Sequence, residues 1–144
     1  DRLRARGLHG RGRVFAEDAR VALPRLLPAT FAAVFVHFPD PWWKKRHQKR
    51  LLITEELVEQ LARVLRPGGE LFVQTDVPDR AAAYEQLLAR SRWFSPVSGD
   101  GPRVEDHPFV ARSPRERRAM ADGIPIVRLR VRRLLDAGTQ GAAS

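Results

Sequence analysis

Asp40 stands between two prolines in the run Phe38-Pro39-Asp40-Pro41-Trp42-Trp43-Lys44-Lys45-Arg46-His47. Proline fixes its own φ at about −65° and restricts the residue before it. Pro39 and Pro41 therefore stiffen the backbone on both sides of this carboxylate. Two indoles follow, then Lys44, Lys45, Arg46 and His47, with Lys49 and Arg50 just beyond. An acid, paired aromatics and a basic run this close together suit a site for an anionic ligand with a flat ring. The cations would hold phosphates, an indole would stack on a base, and the acid would orient a reacting group or stabilise charge. Each part has a plainer reading. A basic run can be a solvated face, a proline-rich loop can be a turn, and Trp42 can pack on that loop. Two consecutive indoles, however, do not readily enter the same core.

Other acids sit where elements should end. The apolar run Phe31–His37 reads as a buried strand leading into Asp40. Glu70–Thr75 reads as another strand and ends at Asp76. Arg13–Glu17 reads as a short strand, and Asp18 follows it as the N-cap of a helix that Pro24 shortens. Between the later strands, Leu51, Leu52, Leu57, Val58, Leu61, Val64 and Leu65 share one broad face of an amphipathic helix that starts near Arg50 and stops at Pro67-Gly68-Gly69. Pro78 and Asp79 open a further helix to Arg90, with Ala81, Tyr84, Leu87 and Leu88 inward. Strands alternating with helices predict an α/β fold with a parallel sheet. Ligands of such sheets lie beyond the carboxyl ends of the strands, so Asp40 and Asp76 are expected on one edge, with Asp18 a candidate to join them.

Ser113-Pro114-Arg115-Glu116 has the pattern of a helix start, with a capping Ser, Pro at the first turn and Glu three residues on. Ile126–Arg133 alternates Val127, Leu129 and Val131 with Arg128, Arg130 and Arg132. This predicts a half-buried strand with a basic face, in a hairpin or at a sheet edge. Gly7, Gly10 and Gly12 precede the next strand-like segment, whereas a phosphate-binding loop needs strand, glycines and helix in that order.

The 144 residues suffice for one domain, here residues 1–135, with a small polar tail over 136–144 expected to be disordered. With 26 Lys and Arg against 17 Asp and Glu, the net charge of +9 favours a polyanionic partner such as nucleic acid. No cysteine is present, which excludes disulfides and thiolate metal sites and suits the cytoplasm. No metal-ligand cluster and no membrane-spanning run are visible.

The Phe38–His47 string closely resembles the signature of the bacterial tRNA (guanine-N7)-methyltransferase family, and the similarity extends from about Val14 to Leu134. The resemblance implies a Rossmann-like class I methyltransferase sheet, S-adenosyl-L-methionine as cofactor, and tRNA as substrate, methylated at guanine N7 in the variable loop at position 46. It implies that Asp40 is catalytic and, with Asp18, lies on the cofactor side. It implies substrate binding by Lys44, Asp76 and the segment Ser113, Pro114, Arg115 and Glu116, where Arg115 replaces a family aromatic. Lys45, Arg46, His47, Lys49 and Arg50 would be tRNA contacts. The expected assembly is a monomer or a homodimer.

The glycine-rich loop after the family's first strand, and the acid ending its second, have no match in this sequence. The chain is thus expected to be the C-terminal part of such an enzyme, a partial sheet with its first strands absent. The alternative is a non-catalytic RNA-binding remnant that keeps the basic surface. A DNA-binding basic domain would have no evident use for the double-proline acid loop.

Overall fold

The computed structural model describes residues 2–39 and 53–135. The chain opens with a short helix, α1 (Arg2–Ala5), and reaches α2 (Ala19–Ala22), whose N-cap Asp18 accepts from the Arg20 amide. A 3-10 turn over Leu23–Arg25 carries Pro24 and ends this helix, as expected. Strand β1 (Phe31–His37) follows. Helix α3 (Glu55–Val64) is capped by Thr54 and leads straight into β2 (Leu65–Thr75). Then come α4 (Pro78–Arg90), β3 (Phe94–Pro96), β4 (Arg103–Val104), α5 (Pro114–Ala121) and β5 (Val127–Arg133).

The sheet runs β1-β2-β5-β3, with β4 also paired to β5. β1 and β2 are parallel, while β2 and β5, and β5 with β3 and β4, are antiparallel. This is a mixed α/β sheet consistent with part of a class I methyltransferase fold. Its register sorts the side chains. Leu71 and Val73 on β2, beside Val131 and Leu129 on β5, enter a core with Leu57, Val58 and Leu61 of α3 and Tyr84 and Leu88 of α4. The alternate residues, Phe72 and Gln74 beside Arg130 and Arg128, share the other face with Phe35 and His37 of β1.

Three local readings change. Residues 13–17 form no strand, and Val14 and Phe15 are 81% and 54% exposed. Among the described residues nothing pairs with that segment, and an extended segment without a ladder partner gains little from its backbone groups. Pro67-Gly68-Gly69 does not close α3, which ends at Val64; it forms an irregularity inside β2, where the β1 register jumps from Phe31↔Leu65 to Ala33↔Glu70. Gly68 takes φ +78° there. β5 is antiparallel as expected, but it lies inside the sheet rather than at its edge. Its basic face is not left to solvent: Glu70 pairs with Arg130 and Arg132, and Glu116 pairs with Arg128.

Candidate functional site

The carboxyl ends of β1 and β2 lie side by side. His37 and Gln74 are register partners, and the Phe38 amide donates to the Gln74 carbonyl at 2.7 Å. Phe38 holds φ +47°, a left-handed conformation that costs a bulky L-residue about 1–2 kcal/mol. Asp40 and the candidate contacts Lys44, Lys45, Arg46, His47, Lys49 and Arg50 lie outside the described residues, as do both indoles of the motif.

Asp76 follows β2 directly, and its side chain is 9% exposed. Helix α5 arrives opposite, started as the sequence predicts: the Ser113 hydroxyl accepts from the Glu116 amide at 3.1 Å, and Pro114 occupies the first turn. Successive helical residues point about 100° apart, so Arg115 and Glu116 diverge. Arg115 donates to Asp76 Oδ2 at 2.7 Å and sits 5.5 Å from the centre of the Phe38 ring, within cation–π range. Asp76 Oδ1 and Arg115 Nε are both buried and lack hydrogen-bond partners among the described residues. One ion pair thus keeps an acceptor and a donor whose hydrogen-bonding capacity is unused among the described residues.

Glu116 turns inward and is 1% exposed. Its Oε1 accepts from Arg112 at 2.7 Å, Arg128 at 2.9 Å and His107 Nε2 at 3.0 Å, and its Oε2 from Gln74 at 3.5 Å. Burial pushes this carboxyl up, but hydrogen bonds from Arg128, Arg112, Gln74 and His107 outweigh it and hold the group at about 2. His107 Nδ1 accepts from the Phe109 amide, so the neutral ring carries its proton on Nε2 and donates it to Glu116. Glu116 is thus the hub of a buried network that fixes α5, β5 and the loop before α5.

Asp18 behaves as a helix cap. Its carboxylate accepts from the Arg20 amide at 2.8 Å and from the Arg20 guanidinium, which holds its carboxyl down to about 2. Those are its described side-chain bonds, and none joins it to the Asp76 cluster. Around Gly7 and Gly10 a Cβ would meet nothing within 4 Å, so these glycines line no close-fitting cradle. A pocket for S-adenosyl-L-methionine needs an open acid for the ribose and a close backbone turn. Asp18, tied to Arg20, and Gly7 and Gly10, with no atom close by, do not supply these.

Sequence reasoning passes over Gln74 and His37, which flank this cluster. Gln74 stands near the end of an apolar strand and His37 ends an aromatic one, and neither carries a spacing signal. Elsewhere, a cavity of about 240 Å³ lies between α3 and the end of α4, lined by Val58, Leu87, Arg90 and Trp93 among others, and shares no residue with the cluster. Among the described residues no group of three or more His, Asp or Glu could hold a metal ion, and no helix is long and apolar enough to cross a membrane.

Comparison with known proteins adds a family. A family model described as "Putative methyltransferase" matches residues 12–129. The chain is 39% identical over 120 residues to the tRNA (guanine-N(7)-)-methyltransferase of Myxococcus xanthus, covering 83% of this chain and 58% of that protein. It is 50% identical over 106 residues to the protein of the same name from Thiobacillus denitrificans, covering 70% and 45%. A third such relative, from Anaeromyxobacter dehalogenans, is 41% identical over 115 residues, covering 79% and 57%. The chain spans about half the length of the curated relatives it matches.

Proposed function

Since the chain belongs to this methyltransferase family, we propose that it carries the substrate-facing part of a tRNA guanine-N7 methyltransferase. The reaction would take place at the variable-loop guanine, position 46, in the cytoplasm. The carrying observation is the buried Asp76 carboxylate at the end of β2, gripped by Arg115 through Oδ2, with Oδ1 lacking a partner among the described residues. The methyl donor of this reading is S-adenosyl-L-methionine, whose sulfonium supplies an electrophilic methyl group.

This chain's residues act on the other reactant. Guanine N7 has an in-plane lone pair, so no proton has to leave before attack and no general base is required. What the reaction needs is orientation of the ring and tolerance of the positive charge it gains. Asp76 Oδ1 would accept from guanine N–H groups, and Asp40 would orient the ring and stabilise its developing charge. Lys44 with Lys45, Arg46, His47, Lys49 and Arg50 would hold phosphates around the loop. In this reading Ser113 and Pro114 set the start of α5, Arg115 presents Asp76, and Glu116 anchors the helix that carries them.

The test is methyl transfer to unmodified tRNA by the full chain, with a transcript lacking the variable-loop guanine as control. N7-methylguanosine at that position supports the enzyme. The commitment of Asp18 to its own cap favours a second reading, the non-catalytic RNA-binding remnant. Salt-sensitive tRNA binding without methyl transfer fits the substrate-facing part alone. It selects the remnant only if transfer is also absent once the cofactor-binding half is supplied. Absence of both binding and transfer would overturn the two together.

A further inference from the structure

We propose that His37 is a base-reading residue, a neutral imidazole whose Nε2–H donates to the exocyclic O6 of the guanine. The inference rests on the substrate reading above and adds a contact that the motif pattern does not assign.

The geometry runs through Gln74, a fully buried side chain. Its Nε2 lies 2.6 Å from His37 Nδ1 and 3.5 Å from Glu116 Oε2. An ionised carboxylate only accepts, so the amide nitrogen, not its oxygen, must face Glu116. That same nitrogen then donates to His37 Nδ1, which must be bare. In a neutral ring the proton therefore sits on Nε2. Turning the amide over would set its oxygen against the Glu116 carboxylate, which Arg112, Arg128 and His107 hold in place. A buried acid on α5 thus fixes the tautomer of a histidine at the end of β1.

The surroundings agree with a neutral ring. Glu116 from α5 and His107 from the loop before it are the titratable groups that act on His37, and Arg128 of β5 and Arg112 lie beyond, bound to Glu116. Burial lowers the His37 pKa, Glu116 raises it and His107 lowers it again, for a net downward shift. Phe35 lies parallel to the ring at 5.9 Å and Phe72 meets it edge-on at 6.0 Å. His37 is nevertheless exposed, and Nε2 has no partner among the described residues. A histidine that only filled space would not need a buried amide clamped on one nitrogen while the other faces outward.

Among the described residues, further unpartnered groups lie at the end of β2 and on α5. Gln74 Oε1 and Asp76 Oδ1 are unpartnered acceptors, and Arg115 Nε is an unpartnered donor. Guanine presents N–H donors at N1 and N2 and an acceptor at O6, whereas adenine carries a donor at its position 6. Gln74 Oε1, Asp76 Oδ1 and Arg115 Nε are buried, whereas the His37 Nε2–H is on an exposed residue and is a donor that matches guanine O6 and mismatches the adenine amino group. A contact at O6 leaves the N7 lone pair free.

The tautomer can be read by long-range ¹H–¹⁵N NMR of the ¹⁵N-labelled full chain, and the contact by titration with nucleotides. At neutral pH His37 should be the Nε2–H form, and Gln74→Leu should release it to a tautomer mixture. Guanosine 5′-monophosphate should shift the His37 ring signals and bind roughly threefold to tenfold tighter than 6-thioguanosine 5′-monophosphate, which keeps N1–H and the N2 amino group but has sulfur, a weak acceptor, in place of O6. His37→Phe should bring that ratio to about one, and His37→Asn, which carries an amide donor, should restore part of it. An Nδ1–H tautomer in the native chain, or the same ratio in His37→Phe, overturns the proposal. Failure of both guanosine monophosphate and unmodified tRNA to bind any variant would overturn the substrate reading itself, and this inference with it.

Discussion

Glu116 and Arg128 meet at 2.9 Å although one begins a helix and the other lies in the following strand. The contact joins α5 to the sheet, and the Arg112 and His107 bonds to the same carboxylate complete it. Removing one member of a buried ion pair leaves its partners uncompensated, which typically costs about 3–5 kcal/mol. Glu116→Gln should therefore destabilise the fold by that order in chemical denaturation, and should also loosen the Arg115–Asp76 contact carried by the same helix. A decrease below about 1 kcal/mol, the range of exposed pairs, would show that the network is not buried in solution.

The same carboxylate sets an acid dependence. Its folded pKa, about 2, lies below the ordinary 4.5. The folded state thus binds fewer protons than the unfolded one, and stability rises with pH across this window. The contribution is complete above about pH 4.5 and disappears as pH falls toward about 2. Midpoints of urea unfolding followed from pH 6 downward should fall more steeply in the native chain than in Glu116→Gln. Parallel curves would rule out this assignment.

Gly69 lies where two strands converge. A Cβ there would come within 2.8 Å of the Arg66 carbonyl oxygen and 3.1 Å of that of Ala32. Both are backbone atoms and do not swing aside. Gly69→Ala should cost about 1–3 kcal/mol, an overpacking penalty, and should weaken amide protection in β1 and β2 together. Native-like stability in thermal unfolding would mean that the irregularity between these strands can reshape.

Glu70 engages two of the three arginines on the basic face of β5, accepting from Arg130 at 2.8 Å and from Arg132 at 3.0 Å. Partly exposed pairs of this kind contribute modestly to stability, about 1 kcal/mol. Their effect is to keep two guanidinium groups from phosphates. Glu70→Gln should leave the melting temperature nearly unchanged, while tRNA binding gains affinity and a steeper salt dependence. An unchanged salt slope would place this face away from bound RNA.

Charge removal at Lys44 and Arg46 tests the basic run. Removing one phosphate-binding cation should flatten the plot of log affinity against log salt by about 0.7–0.9. Slopes measured for tRNA with Lys44→Gln and Arg46→Gln that match the native chain would count against the run as a phosphate grip.

The sequence by itself determined the elements whose signals are local. The amphipathic face of α3, the proline start of α4 and the Ser113 cap of α5 each depend on residues within a turn or two of one another. The motif around Asp40 also carried the family resemblance, since residue type and order hold that information, and the family model matches residues 12–129. Partners across the sheet were a tertiary decision. The arginines of β5 read as a free basic face in the sequence, yet Glu70 and Glu116 lie against them in the fold. Asp18 follows its local signal as a cap, its carboxylate closing on Arg20 two residues on. Gln74 and His37 carry no signal, because a glutamine gains meaning only when folding sets an acid on one side of it and an imidazole on the other. Hydrophobic period and capping act over a few residues, whereas the charge state and orientation of a buried polar group depend on neighbours brought from 37 and 42 positions away.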